Sequence, residues 1–583
     1  MNANRIVIGF ITCVTSLCLS GWSLVSSAAA ATIVVTTTDD IVDPPFNASG
    51  LCGSGGTVAD LPNAGSTVSL REAIIAANNT PGQKTIKFSS SLSGAIVLTG
   101  PLYLCGGHTT LNGDVNGDET PDVTVNGAAV TSASVIEVVS SHNTVKNLRV
   151  LAPHIHGVAG IEVSPNPAVS TTLMDNTLSH NLVTDGAIFV DTGSVTNGAT
   201  VKHTIVRDNT VLSDLSFDIY VAIAGDHHEI IDLTIAGNTL SGANTGIGVI
   251  GGAFNDVGST DRATDSRLDV TIKDNLVTGN SNPGDVAGIA IVGGVDSSSR
   301  NQVSAQLLNN TITDNTGIGI FAVAGAFGGS DDNHIEVTMR NNLVTGNSNP
   351  GDVAGILIAG GEFSSSHNQV SAQLLNNTIS NNEGGGITAL SGLDNSSDNA
   401  VEVTIRDNTL ENNAGAGIVT YGAAALLSAP SDSSDNSLNA RIERNTVKNA
   451  VGFGLLVFGG LGSFDGDGTK VANGNEVHAI VTDNTITGTL FGDGMNLEAG
   501  SSGEANDNEV KVNVRKNTVC GSAAADIHAI GGVLGSPFLP DNTGTGNILE
   551  GEISKNIAST IVVENGVAGN VATVARFHNA PCP

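Results

Sequence analysis

The sequence predicts an all-β solenoid, a parallel β-helix preceded by an N-terminal cap that contains one short helix. Three observations predict it. Eleven times between Asn176 and Asn517 an apolar strand runs into Asn-Thr-Leu or a near variant, at spacings of 29 to 39 residues. The residues around each of these asparagines alternate apolar and polar with the two-residue period of a strand. Glycine occurs 72 times in 583 residues while aromatics make up only 3%, which suits a narrow core of Val, Ile, Leu and Ala closed by tight corners.

The repeat unit defines its own inside and outside. The anchors are Asn176, Asn209, Asn238, Asn275, Asn310, Asn342, Asn377, Asn408, Asn445, Asn484 and Asn517. The fifth and third residues before an anchor are mostly apolar (Val403 and Ile405, Val337 and Met339), and those between them are mostly polar (Glu402, Thr404, Arg406). Two residues after each anchor stands another Leu, Ile or Val, so the chain points inward again after turning. A second strand follows, as in TGIGIFAVAG at 316–325, and then a polar turn. Strand and turn repeated in one direction wind a parallel β-helix whose coils stack about 4.8 Å apart. Asparagine suits the corners because it tolerates left-handed backbone and bonds its own turn, and asparagines stacked coil on coil form a ladder.

Residues 1–30 read as a secretory signal: Arg5, an apolar run from Ile6 to Val25, then small residues Ala28 to Ala31. The mature protein is therefore expected outside the cytoplasm, secreted or at the cell surface, and no later stretch has the length of a transmembrane helix. Two of the six cysteines leave with the signal. Cys52, Cys105, Cys520 and Cys582 remain and allow three pairings. Cys52 with Cys105 and Cys520 with Cys582 is favoured, because each bond then staples one end of the solenoid, where core and sheet edge need cover; four free thiols is the alternative.

Residues 31–130 differ from the repeat. A strand, ATIVVTTTDD, leads through the Cys52 loop to STVSLREAIIAANNTPGQKTIKF, in which Ser69 caps a helix whose Leu70, Ala73, Ile74 and Ala77 share a face. This segment resembles the N-terminal motif of bacterial exported proteins named for the signature Cys-Ser-Leu-Arg-Glu-Ala, which precedes right-handed parallel β-helix repeats. It departs at Val68, where that pattern has Cys, which opens Cys52 to a different partner. The resemblance implies an exported right-handed parallel β-helix of pectin-lyase-like shape and brings no known reaction. The repeats then occupy 131–550 and a C-terminal cap 551–583.

Candidate chemistry lies at four places. The string DVNGDETPD at 114–122 sets Asp114, Asn116, Asp118 and Asp122 at alternating positions, with Thr120 able to offer a carbonyl, and hard oxygens at that spacing suit calcium. Glu119 stands where the sharp-turn glycine of such loops would be, so an ordinary polar turn is the competing reading. Seven of thirteen histidines fall between His142 and His228. Within that stretch Asp175 and Asp208 precede successive anchors, and stacked in register their carboxylates would lie about 5 Å apart, the separation of a retaining glycosidase. His203, or His227 with Asp226, is a further catalytic or metal candidate; a satisfied turn histidine is the plain alternative. Finally, Arg207, Lys273, Arg340, Arg406 and Arg515 project outward from equivalent strand positions, a row broken by Ala236, Leu308 and Leu375 and balanced by acids such as Glu336 and Glu402.

Charge narrows the partners. With 23 basic and 56 acidic residues the formal charge is -33, which disfavours nucleic acid and anionic membranes and favours a neutral polysaccharide or cell-envelope component. None of the compact motifs of a polygalacturonase, pectate lyase or alginate epimerase is present. The blocks NLVTGNSNPGDVAGI (275–289 and 342–356) and NQVSAQLLNNTI (301–312 and 368–379) show a double coil copied in tandem, which preserves length and surface. The leading expectation is a non-catalytic β-helix that binds or structures extracellular polysaccharide. The alternative is a polysaccharide-active enzyme, lyase or glycoside hydrolase, with its site in the histidine-rich early coils.

Overall fold

The computed structural model describes residues 30–583 apart from 64–65, 194, 196–197, 254–262, 327, 351–352, 426–430, 463–469, 502–504, 533–543 and 567–568. The signal segment lies outside the described residues. Three long sheets of 19, 15 and 14 strands run the length of the chain, beside a small pair, Ser431–Asp432 with Lys470–Val471. Every strand pairing between the coils is parallel, and each strand bonds its counterparts one coil before and one coil after; for example Gln302–Leu308 lies between Arg267–Lys273 and His334–Arg340. The architecture is a right-handed parallel β-helix.

Each full coil carries three strands where the sequence pattern suggested two. In one coil these are Gln302–Leu308, Thr311–Thr313 and Thr316–Ala326, which belong to what we call the first, third and second sheets respectively. The three-residue strand after the anchor is separate because a left-handed residue bounds it on each side, Asn309 at φ 55° and Asp314 at φ 55°. Such a residue turns the chain sharply, and short polar side chains tolerate it best.

The anchor asparagines stack into a continuous ladder. The Asn310 amide donates to Ile272 O (2.9 Å) and to Asn342 Oδ1 (3.0 Å), while its own Oδ1 accepts from Asn275 N (3.1 Å). The same pattern continues through Asn377, Asn408, Asn445, Asn484, Asn517 and Asn556. These side chains are buried, and the ladder satisfies backbone groups that the corners would otherwise leave without partners. A second ladder joins Asn301, Asn333, Asn368, Asn399, Asn436, Asn475, Asn508 and Asn547 at the corner between the second and first sheets.

Asn176 is the exception. The main ladder reaches Asn209 from Asn181, whose amide donates to Asn209 Oδ1 at 3.0 Å. Asn176 instead accepts from Asn143 N at 2.9 Å. The pairing of Thr172–Met174 with Thr200–Lys202, and of Thr177–Ser179 with Ile205–Arg207, sets this register.

Inside the tube the core is a set of aliphatic columns. Ile136, Ile161, Ile188, Ile219, Ile247, Ile289, Ile320 and Ile356 follow one another in register on the second sheet, all fully buried. Each such side chain contributes roughly 1.5–3 kcal/mol of burial. Beside this column the coils approach so closely that a Cβ on Gly288 would lie 1.9 Å from Gly319 O, so glycine is required there.

At the N-terminal end, helix α1 (Leu70–Asn78) closes the tube. Ser69 and Glu72 form a reciprocal capping box, and Leu70, Ala73, Ile74 and Ala77 are buried. Cys52 is bridged to Cys105 beside this helix, and Cys520 to Cys582 at the far end, with Cα separations of 5.7 and 5.9 Å. Both are the pairings favoured from the sequence. Among the described residues no helix is long and apolar enough to cross a membrane.

Candidate functional site

The residues singled out in the sequence occupy corners. Asp175 does not stack on Asp208. The register places Asp175 beside His203, with His203 Nδ1 3.2 Å from Asp175 Oδ1, and places Asp208 beside His180. The expected carboxylate pair therefore does not form, because the two coils are offset by the Asn176 and Asn181 exchange. His142, Asp175, His203 and Asp232 instead make an exposed row in which each residue sits at positive φ and pairs with the next. His227 begins another corner row, in register with Asp265, and Asp226 accepts from Thr264 N (3.1 Å) and Thr264 Oγ1 (2.6 Å). Left-handed corners therefore account for the placing of these histidines.

Asp114, Asp118 and Asp122 do converge, each with a carboxylate oxygen within 4.8 Å of the others. The turn itself uses them: Asp114 accepts from Gly117 N and Glu119 N, and Asp122 from Val115 N. Asn116 donates to Asp118. The outward row of Arg207, Ala236, Lys273, Leu308, Arg340, Leu375 and Arg406 lies on the first sheet in the order read from the sequence.

A different face carries the concentrated chemistry. On the second sheet, Leu102–Leu104, Ile136–Val138, Ile161–Val163, Ile188–Asp191 and Phe217–Ala224 lie on five successive coils. Their flanking aliphatic residues point into the core, so the residues between them face outward. The register then lines up Tyr103, Glu137, Glu162, Phe189 and Tyr220 in one row along the rod, with Asp191 in the adjacent row beside Ser164.

Two glutamates thus sit one rung apart, and Ser134 binds both. Its backbone N donates to Glu137 Oε1 at 3.2 Å, and its hydroxyl donates to Glu162 Oε2 while accepting from Ala159 N at 3.0 Å. Asp191 accepts from Gly193 N at 2.8 Å, and its charge acts on both Glu162 and Glu137. Like charges held this close raise the cost of ionising all of them together. Burial pushes Glu137 up to about 7, with the charge of Asp191 adding to it. Burial, then the charges of Asp191 and Glu137, drive Glu162 well above the usual carboxylate range. Asp191 is raised by burial and pulled back by bonds from Ser164, Gly193 and Glu162.

Aromatic rings continue the row. Phe189 and Tyr220 meet edge to face at 5.3 Å between centroids, and Phe217 stacks on Tyr220 at 4.7 Å. All three remain partly exposed. At the other end of the row Tyr103, pushed up to about 12 by burial and by the charges of Glu137 and Glu162, lines a cavity of about 380 Å³ between α1 and the first coils. Arg71 in that cavity is committed to structure: it donates to both oxygens of Asp40 (2.8 and 2.9 Å) and to the carbonyls of Gly100 and Pro101.

Among the described residues, the fifteen strands of the second sheet contain no Lys or Arg, and Arg71 at the cavity end of this face is held by Asp40. The basic residues pair on the first sheet and its corners, as in Lys202 with Glu229, Arg267 with Asp269, Arg300 with Asp265 and Arg444 with Asp407. The strands of the same face bear one His among the described residues, His528, clamped between Asp493 (3.2 Å) and Glu564 (2.8 Å) near the C-terminal end.

Sequence reasoning missed Glu137, Glu162 and Asp191. The available signal was the recurrence of Ile-Glu-Val at 136–138 and 161–163, a charged residue held in the middle of two apolar strands.

No family model matches the chain, and no curated protein matches it. Among solved structures, it is similar to the A-module of the mannuronan C-5 epimerase AlgE4 of Azotobacter vinelandii, at 15% identity and a TM-score of 0.37 over 64% of this chain and 90% of that one. It is also similar to a point mutant of the periplasmic alginate epimerase AlgG, at 12% identity and a TM-score of 0.32 over 72% of this chain and 76% of that one. A PL6 family alginate lyase, AlyGC, is similar at 10% identity and a TM-score of 0.16 over 94% of this chain and 100% of that one. These neighbours are enzymes named for a polysaccharide, and the expectation of a non-catalytic binding protein is corrected accordingly. With every TM-score below 0.5, these likenesses assign no role to any residue; the roles proposed below rest on the acidic and aromatic row.

Proposed function

We propose that the chain is a polysaccharide-active enzyme whose acid–base groups are Glu162 and Glu137, supported by Asp191. The observation that carries this reading is the stacking of two carboxyl groups on adjacent rungs of an outward face, one of them driven well above the usual carboxylate range by burial and by the charges beside it. Glu162, raised further by the charge of Asp191, is the proton donor. Glu137, titrating near neutrality, is the carboxylate that acts as base or nucleophile. Phe189, Phe217 and Tyr220 supply flat apolar surface against which sugar rings pack.

The two disulfides fit an oxidising, extracytoplasmic compartment, where such a polymer is met. Calcium at Asp114, Asn116, Asp118 and Asp122 would stiffen the cap, and no step of the proposed chemistry passes through it.

The test is product release from a broad polysaccharide panel by the purified protein, following reducing ends and unsaturated uronides together. Product that disappears in Glu162→Gln, with the fold unchanged by circular dichroism, supports the reading. Turnover surviving in both Glu162→Gln and Glu137→Gln rules out this site.

A further inference from the structure

We infer that the substrate is an uncharged glycan lying along the rod axis, and that the reaction is hydrolysis of its glycosidic bond with retention of configuration. This inference rests on the catalytic reading above and narrows it. Three observations on the second sheet carry it.

The first is charge segregation. An enzyme that eliminates or epimerises at a uronate must neutralise the sugar carboxylate in the transition state, which calls for a cation or metal aimed at it. The described strands of the second sheet have no Lys or Arg, and among the described residues none of Glu137, Glu162 or Asp191 makes an ion pair with a cation. An acidic patch without a cation offers nothing to offset the charge of a polyanion and costs nothing to a neutral chain.

The second is direction. Tyr103, Glu137, Glu162, Phe189 and Tyr220 are successive rungs, so the row runs parallel to the rod with a step of about 4.8 Å. A glycan laid along it meets the cavity beside Tyr103 at one end and the stacked rings at the other. The carboxyls then lie between two sugar-binding stretches.

The third is that the two glutamates stand on adjacent rungs, and a rung of about 4.8 Å is close to the short carboxyl separation of retaining enzymes. Glu162 gives its proton to the glycosidic oxygen as that bond to the anomeric carbon breaks, and Glu137 carboxylate attacks the same carbon to form a glycosyl ester. The released alcohol departs. Water then gives a proton to Glu162 carboxylate while its oxygen attacks the anomeric carbon, and the ester bond breaks to return Glu137 carboxylate. One water is consumed and both groups regain their starting states.

Affinity electrophoresis at low ionic strength tests the substrate class without turnover. The full chain carrying Glu162→Gln would be run through gels containing xyloglucan, galactomannan or mixed-linkage β-glucan, and through gels containing alginate or polygalacturonate with calcium and with chelator. Retardation by an uncharged glycan, weakened at least fivefold by Tyr220→Ala or by the milder Phe189→Leu, and absent with polyuronates, is the expected result. Stronger retardation by a polyuronate, or none by any uncharged glycan, overturns the substrate class whatever the wild type turns over. Binding of an uncharged glycan with no product from the wild type preserves the substrate class and overturns the catalytic reading. Inversion at the anomeric carbon, read by proton NMR of early product, overturns the retaining step.

Discussion

Glu137 and Glu162 occupy adjacent rungs of one outward column, and the backbone and hydroxyl of a single residue, Ser134, bond to both. That relationship makes their roles separable. Glu162→Gln removes the proton donor and is expected to lower kcat by about 10²–10⁴-fold. Glu137→Gln should be as severe, while Ser134→Ala, which leaves the backbone N–H on Glu137 but strips Glu162 of its hydroxyl partner, should lower kcat less and shift the alkaline limb of the pH profile. Steady-state kinetics on the three variants distinguish these outcomes.

The pH dependence follows from the same carboxyls. Activity requires Glu137 ionised and Glu162 protonated, so kcat/KM should rise as pH passes about 7 and fall where Glu162 loses its proton. Stability runs the other way. Glu137 is raised above its unfolded value, so its contribution is fully present below about pH 4.5 and is lost as pH rises through about 7. Glu137→Gln should therefore raise Tm at pH 8 while leaving it nearly unchanged at pH 4. Equal shifts at both pH values would mean that Glu137 is not the group responsible.

Asp175, Asp208 and His203 pair around exposed corners and lie away from the sheet that bears the acidic row. Asp175→Asn, Asp208→Asn and His203→Ala should each leave turnover within about twofold and change stability by no more than about 1 kcal/mol. A hundredfold loss in any one of them would return the active site to the corner.

The ladder makes a sharper statement about two asparagines five residues apart. Asn181 donates to Val145 O and Asn209 Oδ1 and accepts from Leu148 N. Among the described residues, the Asn176 side chain makes one hydrogen bond, accepted from Asn143 N. Replacing Asn181 with Ala should cost about 2–3 kcal/mol, and replacing Asn176 about 1 kcal/mol. Chemical denaturation of the two variants in parallel checks the order, and the reverse order would falsify the register.

The Cys520–Cys582 bond closes a span of 62 residues over the final coils, a constraint worth about 4 kcal/mol in the chain-entropy view. Cys520→Ala with Cys582→Ala should leave the middle of the rod intact and expose the last strands. Limited proteolysis with mass mapping would then show new cuts confined to the region after Val519.

Two parts of this protein were legible without coordinates, because the physics that sets them is local. The alternation around each anchor fixes which residues face the core, and the recurrence of Asn fixes that coils stack, so the β-helix and the capped helix after Ser69 follow from nearby residues; the favoured cysteine pairing rested instead on the need to cover each end of the rod. The repeat also predicted the ladder and the outward row of Arg and Lys on the first sheet.

What the tertiary structure alone decided is which outward residues become neighbours. Coil length varies, and in the early coils the spacing departs from the later repeat: Glu137 and Glu162 are paired rungs only 25 positions apart in the chain, and Asn181 takes the rung that a count of anchors gives to Asn176. A shift of a few residues between coils turns an Asp over Asp pair into an Asp over His pair, because strands stack by hydrogen-bond register and not by sequence distance. The same stacking gathers Tyr103, Glu137, Glu162, Asp191 and Tyr220, which no common motif spacing connects, onto one face whose described strands hold no Lys or Arg. Burial there, and not the identity of the residues, is what chiefly drives Glu162 above the usual carboxylate range.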